Sequence, residues 1–281
     1  MLGRTLSIAF TFVCLLATSV APALGGTVYV DGSVAGPGSG TFGDPYKELY
    51  PTALGAAAVG DTVLVAAETY PGTVHILKDL VLVGADPATT IIDGGNGTRA
   101  VRIAGATTAA TIVQGFTIQA GEAAEGAGIL MEKSASVRNC VIAGNVTTSD
   151  PGAGVQVYNG ASGSFTNCTF AANVSNGPGG GGALSLQGLG ASATLTNCIL
   201  WDNTPNQIHT AGGTVTVTYS DVEGGGFAGV GNIDADPLFT DAVNGDFTLS
   251  CVSPCIDAGN PAGTDMGAIE ALCLPVTVSG T

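Results

Sequence analysis

A chain of 281 residues with 44 Gly and 13 Pro, in which only 10% of residues are charged, is short of the long charged helix formers and rich in the Val, Ile and Thr that suit strands. Its 22 Asp and Glu against seven Lys and Arg give a net charge of −15. That charge repels phosphate backbones and anionic lipid heads, which argues against nucleic-acid and membrane-surface partners and fits a Gly-rich extracellular protein kept soluble.

Residues 1–25 read as a secretory signal peptide. Met1 to Arg4 is a short positive start, Leu6 to Ala17 is apolar, and Ala21-Pro22-Ala23 offers a cleavage site after Ala23 or Gly25. The apolar run falls short of the ~20 residues of a membrane span, and no later run is long enough, so the mature chain is expected outside the cell without an anchor. Residues 26–61 hold a strand, Thr27 to Asp31, a Gly/Pro/Ser loop, and an Ala-rich stretch from Leu49 to Val59 that predicts a short helix capping the open edge of the first coil.

Residues 62–231 carry an internal repeat. A nine-residue phrase recurs as VRNCVIAGN from Val137, FTNCTFAAN from Phe165 and LTNCILWDN from Leu195, with fainter copies from Leu77, Val113 and Val217. Positions one, four and six hold an apolar residue or cysteine in 17 of 18 slots, far above what composition alone gives. The ragged spacing of the copies predicts a solenoid whose coils carry loops of different lengths. A second phrase alternates with the first: GAGILME from Gly126, GAGVQVY from Gly152, GGALSLQ from Gly181, with Ala100 to Ile103 in the same phase. In these, Ile129 and Met131, Val155 and Val157, and Leu184 and Leu186 point inward. Two strand phrases per coil between Gly-rich corners describe a right-handed parallel β-helix, an all-β fold.

Asn139, Asn167 and Asn197 fall at the third position of the phrase, and Asn145, Asn173 and Asn203 at the ninth. On coils ~4.8 Å apart, such columns at a bend bond amide to amide. Asn96, Asn145, Asn167 and Asn173 also sit in glycosylation sequons, and only Asn96, in a loop, is better read as an acceptor. Cys140, Cys168 and Cys198 share the inward fourth position. In-register neighbours hold their Cβ atoms further apart than the ~3.8 Å of a disulfide, so buried free thiols are expected. Of Cys251, Cys255 and Cys273, outside the repeats, the expected bridge is Cys251 with Cys273.

Residues 232–281 break the pattern and read as an irregular cap and tail. Asp234 and Asp236 are candidate oxygen ligands for Ca²⁺, without EF-hand spacing; turn formation is the commoner use of such Asp.

The stretches GDTVLVAAETYPG from Gly60, YSDVEGG from Tyr219, NIDADPLF from Asn232 and SPCIDAG from Ser253 resemble exported parallel β-helix proteins of the pectin-lyase-like superfamily. The alternation of GGAL with FAAN and LWDN is similar to the repeats of polymorphic outer-membrane proteins. The resemblance implies the fold across residues 27–270 but no one activity, since such folds host lyases, hydrolases, esterases and non-catalytic surface proteins.

The hydrolase motifs Asn-Thr-Asp, Asp-Asp and Gly-His-Gly are missing. A lyase needs a base beside a uronate carboxylate and a cation to stabilise the charge that develops, and Arg102, Lys133 and Arg138 are the basic residues on or beside the repeated strands. The phases also place Arg102, Leu130, Gln156 and Ser185 in one outward column, and Ala104, Glu132, Tyr158 and Gln187 in the next. Of these, Arg102, Glu132, Gln156, Tyr158 and Gln187 suit sugar hydroxyls. Trp201, at the seventh position, is expected to pack under a loop or the tail. The sequence thus favours a secreted or cell-surface protein that binds a polysaccharide or a surface protein and needs no cofactor, Ca²⁺ excepted. A polysaccharide lyase is the alternative, and a structural module of a larger secreted protein the second.

Overall fold

The computed structural model describes residues 25–225, 227–269, 271 and 273, so the expected signal peptide lies outside the described residues except for Gly25. The chain winds as a right-handed parallel β-helix around three parallel sheets. The first runs from Thr27–Val30 through Thr62–Val65, Val81–Gly84, Ile112–Gln114, Ala135–Arg138, Ser162–Thr166 and Ser192–Thr196 to Thr214–Thr218. The second comprises Thr69–Pro71, Ile91–Asp93, Thr117–Gln119, Val141–Ala143, Thr169–Ala171, Ile199–Trp201 and Asp221–Val222. The third comprises Val74–Ile76, Val101–Ile103, Ile129–Met131, Val155–Val157, Leu184–Gln187 and Ile208–Ala211. A short ribbon of Glu122–Ala123, Val146–Thr147 and Val174–Ser175 fills the corner between second and third.

The nine-residue phrase spans the first sheet, a bend and the second sheet. Its first position stacks as Val113, Val137, Phe165, Leu195 and Val217, and its sixth as Ile118, Ile142, Phe170, Leu200 and Val222; all are buried. Each large apolar side chain taken from water contributes about 1.5–3 kcal/mol, so strands of two to five residues persist only because coils stack. One register differs from the sequence reading. Leu82, not Leu77, pairs in the column of Val113, and Leu77 is exposed. The loop between Val81–Gly84 and Ile91–Asp93 lengthens that coil, so a fixed nine-residue window cannot fit it.

Both asparagine columns stack, and the second bonds amide to amide throughout while the first does so only between Asn167 and Asn197. Asn139, Asn167 and Asn197 turn the bend with φ of 46°, 51° and 55°, the left-handed conformation that Asn tolerates, and Asn197 Nδ2 donates to Asn167 Oδ1 at 3.0 Å. The second column is buried and continuous: Asn145 Nδ2 donates to Asn173 Oδ1 at 2.9 Å and Asn173 Nδ2 to Asn203 Oδ1 at 2.8 Å. Gln207 ends it, accepting from Asn203 Nδ2 at 2.7 Å and donating to Glu223 at 2.7 Å. Cys140, Cys168 and Cys198 are free and buried beside the first bend, where desolvation raises the Cys140 thiol to about 12.

The helical stretch Leu49–Ala53 and Leu54–Ala56 buries Leu49, Ala53 and Leu54 against the first coils, as a cap should. The C-terminal segment does more than close the last coil. Ile233 bridges Asp221 at the end of the second sheet. The chain then forms the antiparallel pair Phe239–Asp241 and Asp246–Leu249 and folds back along the outside of the second sheet. There Phe247 packs on Val141, Ala143 and Ala171, and Leu249, Cys255 and Met266 on Ile199. The tail thus covers the apolar outward residues Val141, Ala143, Ala171 and Ile199 of that sheet, and Trp201 packs under it. Cys251 and Cys273 form a disulfide and Cys255 is free, in agreement with the expected pairing.

Candidate functional site

The outer face of the third sheet is laid out by register. His75, Arg102, Leu130, Gln156, Ser185 and His209 form its first column, so both histidines of the chain stand at the ends of one row. Extending the Arg102 column by one coil each way finds them, because Val74–Ile76 and Ile208–Ala211 alternate in the same phase. Along the neighbouring column, Glu132, Tyr158 and Gln187 are half-buried.

The first column is not the open face that the alternation predicts. Leu130, Gln156 and Ser185 are buried beneath the Gly-rich loops that lead into the third sheet. Gly152, at φ 80°, lies so close that a Cβ there would meet Ser185 Cβ at 2.9 Å and Gln156 Cβ at 3.0 Å. Only glycine admits that approach in that conformation. The loops stack on one another as the coils do, Gly152 N–H donating to the Gly181 carbonyl at 3.1 Å. Gln156 therefore acts from beneath, its Nε2 donating to Gln187 Oε1 at 2.5 Å, while its own Oε1 and Ser185 Oγ have no partner among the described residues.

What remains accessible is a polar rim at the N-terminal end of the sheet. Arg102 grips Glu132 in bidentate fashion, Nε donating to Oε1 at 3.1 Å and Nη2 to Oε2 at 2.9 Å, a geometry that fixes both side chains although an ion pair this exposed contributes at most ~1 kcal/mol. Arg99 donates to the backbone carbonyls of Gly126 and Glu125 at 2.9 and 2.7 Å, and desolvation lowers its pKa from the usual guanidinium value. The Tyr158 hydroxyl donates to Glu125 Oε2. Desolvation and that carboxylate push the phenol's pKa well above normal, which keeps it protonated. His75 stacks on Tyr50 with ring centroids 4.9 Å apart, and desolvation followed by Arg102 and Arg99 lowers its pKa, favouring neutral imidazole. The rim thus presents fixed donors, two carboxylates and aromatic faces. Sequence reasoning found Arg102, Glu132, Tyr158 and Gln187 but missed His75, which the Arg102 column reaches, and Arg99, Glu125 and Tyr50, which only folded loops and the cap bring to this place.

The three basic residues considered for lyase chemistry do not share a face. Arg102 is on the third sheet, Lys133 is exposed in the turn after it, and Arg138 is on the first sheet opposite Gln114 and Thr166. Asp234 accepts from Gly224 N–H at 3.2 Å and Asp236 from Leu238 N–H at 2.9 Å, the use of Asp in turns. Among the described residues no group of three or more His, Cys, Asp or Glu is placed to hold a metal ion.

No curated protein matches the chain. Among solved structures, a pectin methylesterase from carrot is similar over 83% of this chain and 99% of that one, at 14% identity and a TM-score of 0.38. A family model described as the right handed beta helix region matches residues 89–239, more than half of the chain, and with the coils and their registers in view, the protein belongs to that family.

Proposed function

We propose that the protein is exported and binds a polysaccharide on the polar rim of the third sheet without cleaving it. The observation that carries this reading is that the rim's charged groups are already engaged: Arg102 on Glu132, Arg99 on two carbonyls, Tyr158 on Glu125. Such a preorganised array recognises hydroxyls at little ordering cost, and neither Arg102 nor Arg99 is left free to act as the base of a lyase. The net charge of −15 favours a neutral polysaccharide over a polyuronate, and the leader-like start supports export.

The test is a polysaccharide array with wild type and a Tyr158→Ala, Gln187→Ala double variant, beside an assay for unsaturated products from uronate polymers with and without Ca²⁺. We expect binding that the double variant loses while it still folds cooperatively, with a lowered melting temperature because Gln156 loses its partner Gln187, and no product from either protein. Cleavage that disappears with Arg102→Ala or Lys133→Ala would establish the lyase instead. Binding that survives the double variant would move the site elsewhere and favour a surface protein as partner.

A further inference from the structure

Beside the N-terminal cap, a cleft of 240 Å³ opens between the first strand and the loop that succeeds it. Tyr29 and Phe42 meet edge to face across it, ring centroids 5.5 Å apart at 76°, and Val34, Pro45 and Leu64 complete apolar walls. Phe42 is 65% exposed, unusual for a phenylalanine with nothing covering it. The one charged residue in the lining is Asp31, only 8% exposed. Its Oδ1 is used twice, by Ser33 N–H at 2.9 Å and Ser33 Oγ at 2.6 Å, and its Oδ2 has no hydrogen-bond partner among the described residues. No cation neutralises it either, since the one ion pair among the described residues is Arg102 with Glu132.

A nearly buried carboxylate with a free oxygen, set among apolar walls and two aromatic rings at right angles, is complementary to one ligand chemistry. The rings offer negative faces, the carboxylate supplies the counter-charge, and too few polar groups line the cleft to satisfy the several hydroxyls of a sugar. The volume lies below the ~300 Å³ at which clefts enclose drug-sized ligands, which suits a single compact group. We propose that this cleft binds an alkylammonium group, such as a methylated amine, seated in the corner that the Tyr29 and Phe42 rings form, with its charge on Asp31. The acidic surface raises the local concentration of such cations. This site is independent of the third-sheet rim.

Titration with tetramethylammonium chloride, monitored by ligand-observed NMR, tests it, with tert-butanol as the neutral analogue of similar shape and a methyl glycoside as the sugar. Saturable millimolar binding is expected for tetramethylammonium, weakened roughly tenfold or more in Phe42→Ala and in Asp31→Asn, reduced by added sodium chloride, and unchanged in Tyr158→Ala. Phe42→Ala removes an exposed side chain, so a normal melting curve for it keeps the result interpretable if Asp31→Asn is destabilised. Equal saturation by tert-butanol would make the cleft merely apolar, saturation by the methyl glycoside alone would make it a sugar subsite, and no saturation by tetramethylammonium would remove the site; each overturns the proposal.

Discussion

Asn173→Ala cuts the buried amide column at its middle. Asn173 Oδ1 accepts from Asn145 N–H at 3.1 Å and Asn145 Nδ2 at 2.9 Å, and its Nδ2 donates to the Ile142 carbonyl and to Asn203 Oδ1, both at 2.8 Å. The residue is fully buried, so water does not replace these bonds without opening the bend. Four hydrogen bonds at a net ~1 kcal/mol each, with Asn145 N–H left unpaired in the interior, put the loss on the order of 4 kcal/mol. Bonds in a line polarise one another, which pushes the loss upward, and each coil templates its neighbours, so amide exchange should accelerate around Asn145 and Asn203 as well as at the mutated turn. Urea denaturation of both proteins measures the difference, and native-state hydrogen exchange locates it. A loss under ~1 kcal/mol, or exchange altered at residue 173 alone, would refute the view that the column ties coils together.

Asp221 is buried at the end of the second sheet, accepting from Ala235 N–H at 3.1 Å and from the Cys255 thiol at 3.2 Å. Desolvation, with lesser contributions from Asp234 and Asp236, raises its carboxyl to about 6, and no Lys or Arg comes after Arg138 in the chain to offset it. Because the folded pKa lies above the unfolded value of ~3.9, the stabilisation it brings is complete below pH ~4 and is lost as pH rises through about 6; Asp221→Asn should flatten that dependence and be the more stable form at pH 8, by on the order of 2 kcal/mol. Equal pH profiles of melting for the two proteins would show that Asp221 does not control tail docking. Thiol titration should count four unbridged cysteines, Cys140, Cys168, Cys198 and Cys255, in the denatured mature chain and none reacting promptly in the native one; ready labelling of Cys168 would contradict its burial. Ile142→Asp sets an unpaired carboxylate inside a coil, at a cost of several kcal/mol, and a melting temperature within a degree or two of wild type would place that side chain in solvent.

The coil is legible in the order of the residues. An apolar residue at fixed positions of a repeated phrase, asparagine at its bends and an inward thiol column are local patterns with one geometric solution, because stacking identical coils is the only way such short strands bury their faces. Val137, Phe165 and Leu195 stack as their phrase predicts, and Asn145, Asn173 and Asn203 bond as their spacing predicts. Which outward residues meet solvent depends on the folded loops and tail. Alternation assigns a side chain to the inside or outside of a coil but says nothing of what lies over the outside. Gly152 closes over Gln156 and Ser185, and the tail closes over Ile199 and Trp201, through loops whose course is set by contacts distant in the chain. The same holds for the rim: Tyr50 and His75, and Glu125 and Tyr158, meet because successive coils and a cap bring together residues that no local period relates.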